Sequence, residues 1–284
     1  MLSYQHIFHA GNHADLLKHF VLYQVLCSLN KKDKPYTFFD THSGSALYDL
    51  LDGRSLKTGE AKKAVFPILA AGVKENCPPP LRAFLDFLRD YTSRNFYPGS
   101  PEIARAMMRA QDFLVLSERH PQEIEALREN MRGQKTCSPS IQIHYRDGWE
   151  MLRALTPPAT SRGAVLIDPS YEETSDYVDA SRTVCAVHKK WSNGIIMLWY
   201  PLLAHRSSDI SAMLGEICGE ARSQNANIEI SDTRLEVYDG REKNLPRLYG
   251  SGMLVLNSPW GLREAAGQSA EFIRNEISGL FQSE

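Results

Sequence analysis

Apolar residues along the chain fall into short runs, each closed by polar or acidic residues. Residues 36–40, 113–117, 141–144, 164–167, 195–200, 227–230 and 253–256 form such runs and read as strands. Near-continuous apolar runs of this length mark strands buried on both faces. Helix-like stretches lie between most of them. That alternation predicts an α/β fold with a central, mostly parallel sheet. In such sheets ligands bind beyond the C-terminal ends of the strands, so the residues just after each run carry most of the functional information.

A helix is predicted ahead of the first strand. Asn12 caps it, with Asp15 three residues on as its partner. Leu16, Leu17, Phe20, Val21, Tyr23 and Val25 predict one buried face, and the polar run 30–35 ends the helix. About 70 residues then separate Asp40 from the strand at Phe113, against the dozen or so that one crossover needs. Residues 57–73 and 81–91 read as helical, the second with Leu81, Phe84, Leu85 and Leu88 on one face. The Cys77–Pro80 segment separates them. The expected organisation is a main domain of residues 1–48 and 98–284, with residues 49–97 as an inserted helical subdomain.

Composition narrows the class. The chain has 284 residues, 43% hydrophobic and 23% charged, which suits a globular protein with a large core. No apolar run approaches the ~20 residues of a membrane span. The N-terminus has no basic start followed by an apolar core, so no signal peptide is expected. Cys27, Cys77, Cys137, Cys185 and Cys218 are odd in number and scattered, without a CxxC pair. A reduced, cytoplasmic setting with no disulfide framework or zinc cluster follows. His9 and His13 stand four apart, but Gly11 and Asn12 lie between them and no acid or cysteine completes a ligand set, so no metal is expected. The net charge of −2 argues against coating nucleic acid by bulk charge. Residues 53–110, however, carry ten basic and five acidic side chains, a local +5 that leaves −7 for the remainder. That segment is either a solvated helical surface or a docking face for a phosphate backbone.

The most specific chemistry lies at Asp168-Pro169-Ser170-Tyr171, directly after a buried strand. Proline fixes its own φ and restricts the residue before it, so the turn is stiff. The Asp168 carboxylate and the Pro169 carbonyl are two acceptors, matching the two N–H donors of an exocyclic amine on a nucleobase. Tyr171 supplies a ring to stack on the base. The tetrapeptide resembles the (Asp/Asn)-Pro-Pro-(Tyr/Phe) motif of amino-methyltransferases and departs from it at Ser170. The two acceptors survive that departure, and the second proline's rigidity is lost. Upstream, Asp40 is followed by a small loop with Gly44, Glu118 closes a strand, and Asp147-Gly148 follows the next. These fit, in order, an opening loop for S-adenosylmethionine, an acceptor for ribose hydroxyls and an acceptor for the adenine amine. The full GxGxxG fingerprint of a dehydrogenase and the GxSxG elbow of a hydrolase are both absent.

Phe8-His-Ala-Gly-Asn-His-Ala-Asp15 with Leu17-Lys18-His19, then Asp40-Thr-His-Ser-Gly44, Tyr97-Pro-Gly-Ser100-Pro101, Asp168-Pro-Ser-Tyr171 and Leu198-Trp-Tyr-Pro201 resemble the bacterial 23S ribosomal RNA adenine-N6 methyltransferase J family. The resemblance runs essentially end to end. It implies a class I, Rossmann-like methyltransferase fold with a helical subdomain inserted after the first strand, and transfer of a methyl group from S-adenosylmethionine to N6 of one adenine in 23S ribosomal RNA. It implies His19, His42, Ser100, Glu118, Asp147, Gly148 and Asp168 as cofactor contacts. Asp168, Pro169 and Tyr171 are the expected catalytic turn. Tyr4 and Lys18 are expected, with Tyr171, to face the substrate. The expected partner is 23S ribosomal RNA in a protein-free or early assembly form, with no membrane, the protein acting as a cytoplasmic monomer. Two alternatives stand beside this reading: a DNA adenine-N6 methyltransferase, and a catalytically silent nucleic-acid-binding protein linked to use of external DNA, a label this family has also carried.

Overall fold

The computed structural model describes residues 5–132, 138–238 and 248–281. Tyr4 and Cys137 lie outside the described residues. The chain opens with a 3-10 turn at His6–Phe8 and enters helix α1 at His13–Asn30. Strand β1, Thr37–Asp40, leads to a short β2 at Leu47–Asp49. Four helices follow: α2 (Gly53–Thr58), α3 (Glu60–Lys63), α4 (Val65–Ala71) and α5 (Pro79–Thr92). The chain returns through β3 (Phe96–Pro98) and α6 (Ser100–Met107). Strands and helices then alternate: β4 (Phe113–Glu118), α7 (Pro121–Asn130), β5 (Ser140–Tyr145), α8 (Gly148–Leu155), β6 (Gly163–Ile167), α9 (Ser175–Lys190), β7 (Ile195–Leu202) and α10 (Ser207–Gln224). The last elements are β8 (Ile230–Glu236), β9 (Gly250–Leu256) and α11 (Leu262–Phe281).

Seven strands form one sheet in the order β5-β4-β1-β6-β7-β9-β8. Five are parallel neighbours, and β9 alone runs against the rest. The chain builds outward from β1 through β4 to β5, then crosses back to lay β6 on the other side of β1. That reversal opens a crevice at the C-terminal ends of β4, β1 and β6. It is the class I methyltransferase architecture that the sequence predicts. All four residues of β1 and all five of β6 are buried, which is why both read as unbroken apolar runs.

Several elements differ from expectation. Helix α1 is buried on nearly every side rather than on one face, because β9, α6, α11 and α5 all pack against it. The helical stretch 57–73 is three short helices, broken where Gly59 takes φ +62° and again at Ala64. Strands β2 and β3 pair antiparallel, Leu47 with Pro98 and Asp49 with Phe96, and the expected boundaries at 49 and 97 fall in this ribbon. Three-residue strands are too short to leave an alternating pattern. Strand β8 begins at Ile230, where the expected 227–230 run ends. Asp232 and Arg234 project outward from it, and charges of this kind blunt an edge strand while hiding its periodicity. Within the basic segment, Arg54, Lys74, Arg89, Arg105 and Arg109 are ion-paired with Asp52, Glu276, Asp86, Glu102 and Asp112 respectively. Part of the local positive charge is therefore satisfied inside the protein.

Candidate active site

The C-terminal ends of β1, β4, β5, β6 and β7, together with the N-terminal half of α1, enclose a cleft of about 350 Å³. That volume lies within the range of small-molecule sites. His19, His42, Ser100, Glu118, Asp147, Gly148 and Asp168 all line it, as do Lys18 and Pro169. Residues spread over 150 positions of sequence thus meet in one place.

At the β1 end, the Gly44 amide donates to Glu118 Oε2 at 2.7 Å. Gly44 takes φ +57°, and a Cβ there would lie 2.2 Å from the Tyr48 hydroxyl, so the turn requires glycine. Glu118 Oε1 accepts from the amides of Arg119 and His120 at 2.8 and 2.6 Å. Burial pushes the Glu118 carboxyl upward, and these backbone bonds oppose the shift. Asp147 caps α8 through the Glu150 amide at 3.1 Å, leaving Oδ2 3.5 Å from Arg119 Nη1. Gly148 sits so close to β1 that a Cβ would meet the Thr41 carbonyl oxygen at 2.1 Å.

The two histidines are neutral. Burial lowers His42 to about 4, and its Nδ1 meets the Thr41 hydroxyl at 2.8 Å. Its ring stands edge-on to Trp149 at 5.1 Å. Burial lowers His19 to about 3, and its Nδ1 pairs with the Tyr97 hydroxyl at 2.9 Å. Ser100 is the first residue of α6, one position inside the cap at Gly99. Asp40 is fully buried, with Oδ1 accepting from the His42 amide at 3.3 Å. Burial pushes its carboxyl up to about 7, opposed by the nearby Ser100 hydroxyl and reinforced by Asp168.

At the β6 end, Lys18 Nζ lies 2.5 Å from Asp168 Oδ2 and 3.0 Å from Asp15 Oδ1. Tyr171 does not join the cleft wall. It takes φ +52°, turns into the core at 7% exposure and packs against Tyr177 at 4.7 Å. Trp199, by contrast, lines the cleft, as do Trp149 and Tyr48, and Lys18 Nζ lies 5.9 Å from the Trp199 ring centroid. The sequence reading did not single out Trp199, although it stands inside the Leu198–Pro201 motif. Nor did it assign roles to His6 and Asp15, which also line the cleft. Both lie in the N-terminal block, where Asp15 was visible only as a capping partner. Among the described residues no cluster of three or more metal-ligating side chains occurs.

The family model for "Ribosomal RNA large subunit methyltransferase D, RlmJ" matches residues 33–282. Ribosomal RNA large subunit methyltransferase J of Escherichia coli (strain K12) is 33% identical, over 98% of this chain and 94% of that one. The protein of the same name from Haemophilus influenzae is 32% identical, over 92% of this chain and 89% of its own. A crystal structure of a Legionella pneumophila protein superposes with a TM-score of 0.80 at 27% identity, covering 95% of this chain and 94% of that chain. The agreement reaches from the N-terminal helix to the last, and this chain belongs to the large-subunit ribosomal RNA methyltransferase family whose model it matches.

Proposed function

We propose that this protein is an S-adenosylmethionine-dependent methyltransferase acting on N6 of an adenine in 23S ribosomal RNA. Family membership supports the reaction class and the polymer. The observation that carries the target atom is Asp168: a carboxylate at the end of β6, followed by Pro169, opening into the same cleft as the other six expected cofactor contacts.

The donor set fits S-adenosylmethionine. Glu118 offers carboxylate oxygens to ribose hydroxyls, and Asp147 offers Oδ2 to the adenine amine. Ser100 adds a hydroxyl. His19 and His42, kept neutral by burial, place no cation against a sulfonium. When bound, the cofactor supplies an electrophilic methyl group, whose transfer forms the N6–carbon bond and returns the carbon–sulfur electron pair to sulfur.

The remaining steps belong to the chain. An adenine amine is a weak nucleophile, because its lone pair is delocalised into the ring. Asp168 and the Pro169 carbonyl accept its two N–H bonds and hold the nitrogen in line. Positioning of this kind supplies roughly 7–11 kcal/mol in the best cases. Asp168 takes the proton as positive charge develops on nitrogen. Trp199, the cleft-lining ring near the Lys18–Asp168 pair, supplies the stacking face for a base withdrawn from its own stack, and Tyr171 supports it from behind.

We further read residues 49–97 as an inserted subdomain, the protein as a monomer, and the substrate as protein-free or early-assembly RNA. Tritiated methyl transfer to protein-free 23S RNA from a strain lacking this gene, with genomic DNA alongside, tests the reading. N6-methyladenosine in digested RNA is expected. Labelling of DNA alone would move the target, and absence of cofactor binding would remove the enzymatic reading.

A further inference from the structure

Asp15 is the buried group for which the proposed chemistry has no use. It lies in the first turn of α1 at 1% exposure, with hydrogen bonds on one carboxylate oxygen and an ion pair on the other. Oδ2 accepts from the Gly11 amide and from His6 Nε2, both at 2.9 Å. Oδ1 faces Lys18 Nζ at 3.0 Å. Burial alone would raise its pKa, but His6 and Lys18 hold it well below the usual carboxylate range. A charge buried this deeply is costly unless its partners are fixed, and here they are. The Lys18 side chain is itself only 6% exposed, and its ammonium lies between two carboxylates, Asp15 on one side and Asp168 on the other.

We infer that Asp15 is a positioning residue for methyl transfer: it anchors the Lys18 ammonium so that Lys18 covers Oδ2 of Asp168 and leaves Oδ1 for the target amine. The inference rests on the reading of Asp168 given above. A lysine side chain is a flexible stem carrying a compact charge, and it settles where its counter-charges place it. With two carboxylates it is held between them. With Asp15 neutralised, the pull toward the start of α1 is lost, and Asp168, already 2.5 Å away, draws the ammonium astride both its carboxylate oxygens. An Asp168 covered on both oxygens can neither orient the amine nor take its proton. Asp15 thus acts through Lys18 without touching substrate or cofactor.

Asp15→Asn tests this in the full chain, because its carbonyl oxygen keeps the acceptor for the Gly11 amide while the charge and the acceptor that face Lys18 are removed. Expected is a fall in kcat of roughly tenfold or more, with the S-adenosylmethionine dissociation constant from calorimetry within about threefold of the parent. In a Lys18→Met background the same substitution should change kcat by less than about twofold, since the group it acts through is gone. A crystal structure of the variant should show Nζ astride Asp168. Parent-like kcat in a folded Asp15→Asn protein would overturn the inference. So would an equal loss with and without Lys18, or a parallel loss of cofactor affinity. Should that variant fail to fold, Asp15→Glu, which retains charge but displaces it, reads the same geometry, and parent-like kcat would again overturn it. A parent protein that binds cofactor but labels neither RNA nor DNA would remove the functional reading, and this inference with it. An active parent beside an indifferent Asp15 variant removes the inference alone.

Discussion

The Tyr171 hydroxyl donates to the Trp199 carbonyl at 2.9 Å, and the two rings stand 5.9 Å apart. A residue expected to stack on a substrate base instead braces the strand that carries another aromatic ring. The left-handed φ of Tyr171 turns its side chain away from the cleft and toward Tyr177. Trp199 lines the cleft, with Lys18 Nζ, the partner of Asp168, 5.9 Å from its ring centroid.

Two substitutions separate brace from platform. Tyr171→Phe removes one hydrogen bond to a backbone carbonyl and keeps the ring. It should cost about 1–2 kcal/mol of stability in urea unfolding. Trp199→Ala removes the stacking face, a contribution of about 1–3 kcal/mol per base. Its kcat/KM for RNA should fall roughly tenfold to a hundredfold, with cofactor affinity retained. Parent-like kcat/KM in a folded Trp199→Ala protein would count against this division of roles.

Glu118 does two jobs, and one substitution exposes both. Its carboxylate gathers the amides of Gly44, Arg119 and His120, tying the loop after β1 to the end of β4. It is also the proposed acceptor for ribose hydroxyls. Glu118→Gln presents an amide group to a cluster of N–H donors. Leaving one such donor unpaired costs about 1–3 kcal/mol. Cofactor affinity measured by calorimetry should drop at least tenfold, accompanied by a lower melting temperature. Unchanged affinity would show that the cofactor ribose is held elsewhere.

Much of this site was legible because parallel strands buried on both faces leave unbroken apolar runs, and because the chemistry sits where those runs stop. Asp40, Glu118 and Asp168 all stand at or just beyond strand ends, as expected. Other features depend on tertiary neighbours that no local pattern reports. Leu16 and Leu22 lie on different sides of α1, and both are fully buried because separate layers cover each side. The inward turn of Tyr171 reflects a hydrogen bond to a residue 28 positions away. Asp15 read as a capping partner from its spacing, and its contact with Lys18 is one helical turn along the same face.

Gly148, a proposed cofactor contact that lines the cleft, is equally a packing requirement. Its Cα approaches β1 so closely that an added Cβ would lie 2.1 Å from the Thr41 carbonyl oxygen. Gly148→Ala must push α8 outward or displace the loop after β1. Overpacking of this kind costs about 1–3 kcal/mol. The variant should melt several degrees lower and bind S-adenosylmethionine more weakly, because Asp147 and His42 move apart. A melting temperature equal to the parent's would show that the loop yields without cost.

Asp40 gives the stability of the fold a specific dependence on pH. Burial, reinforced by Asp168 and opposed by Ser100, lifts its carboxyl to about 7. In the unfolded chain the same group ionises near its ordinary value of 3.8. Between those values the folded protein holds a proton that the unfolded chain has released. The stabilising contribution is therefore present at low pH and is lost as pH rises through 7. The buried histidines act in the opposite sense. Burial lowers His13 and His42 to about 4 and His19 to about 3, so each destabilises the fold as pH falls below its ordinary 6.5. Those contributions are common to the parent and to Asp40→Asn, and they cancel when the two are compared. The variant should gain stability relative to the parent as pH rises from about 4 to about 7, by at most about 1.4 kcal/mol per pH unit, with the difference constant above. Urea unfolding of both proteins at pH 5, 6, 7 and 8 measures it. A difference that does not change with pH would mean that Asp40 is ionised throughout, its charge already balanced by Lys18 across the cleft.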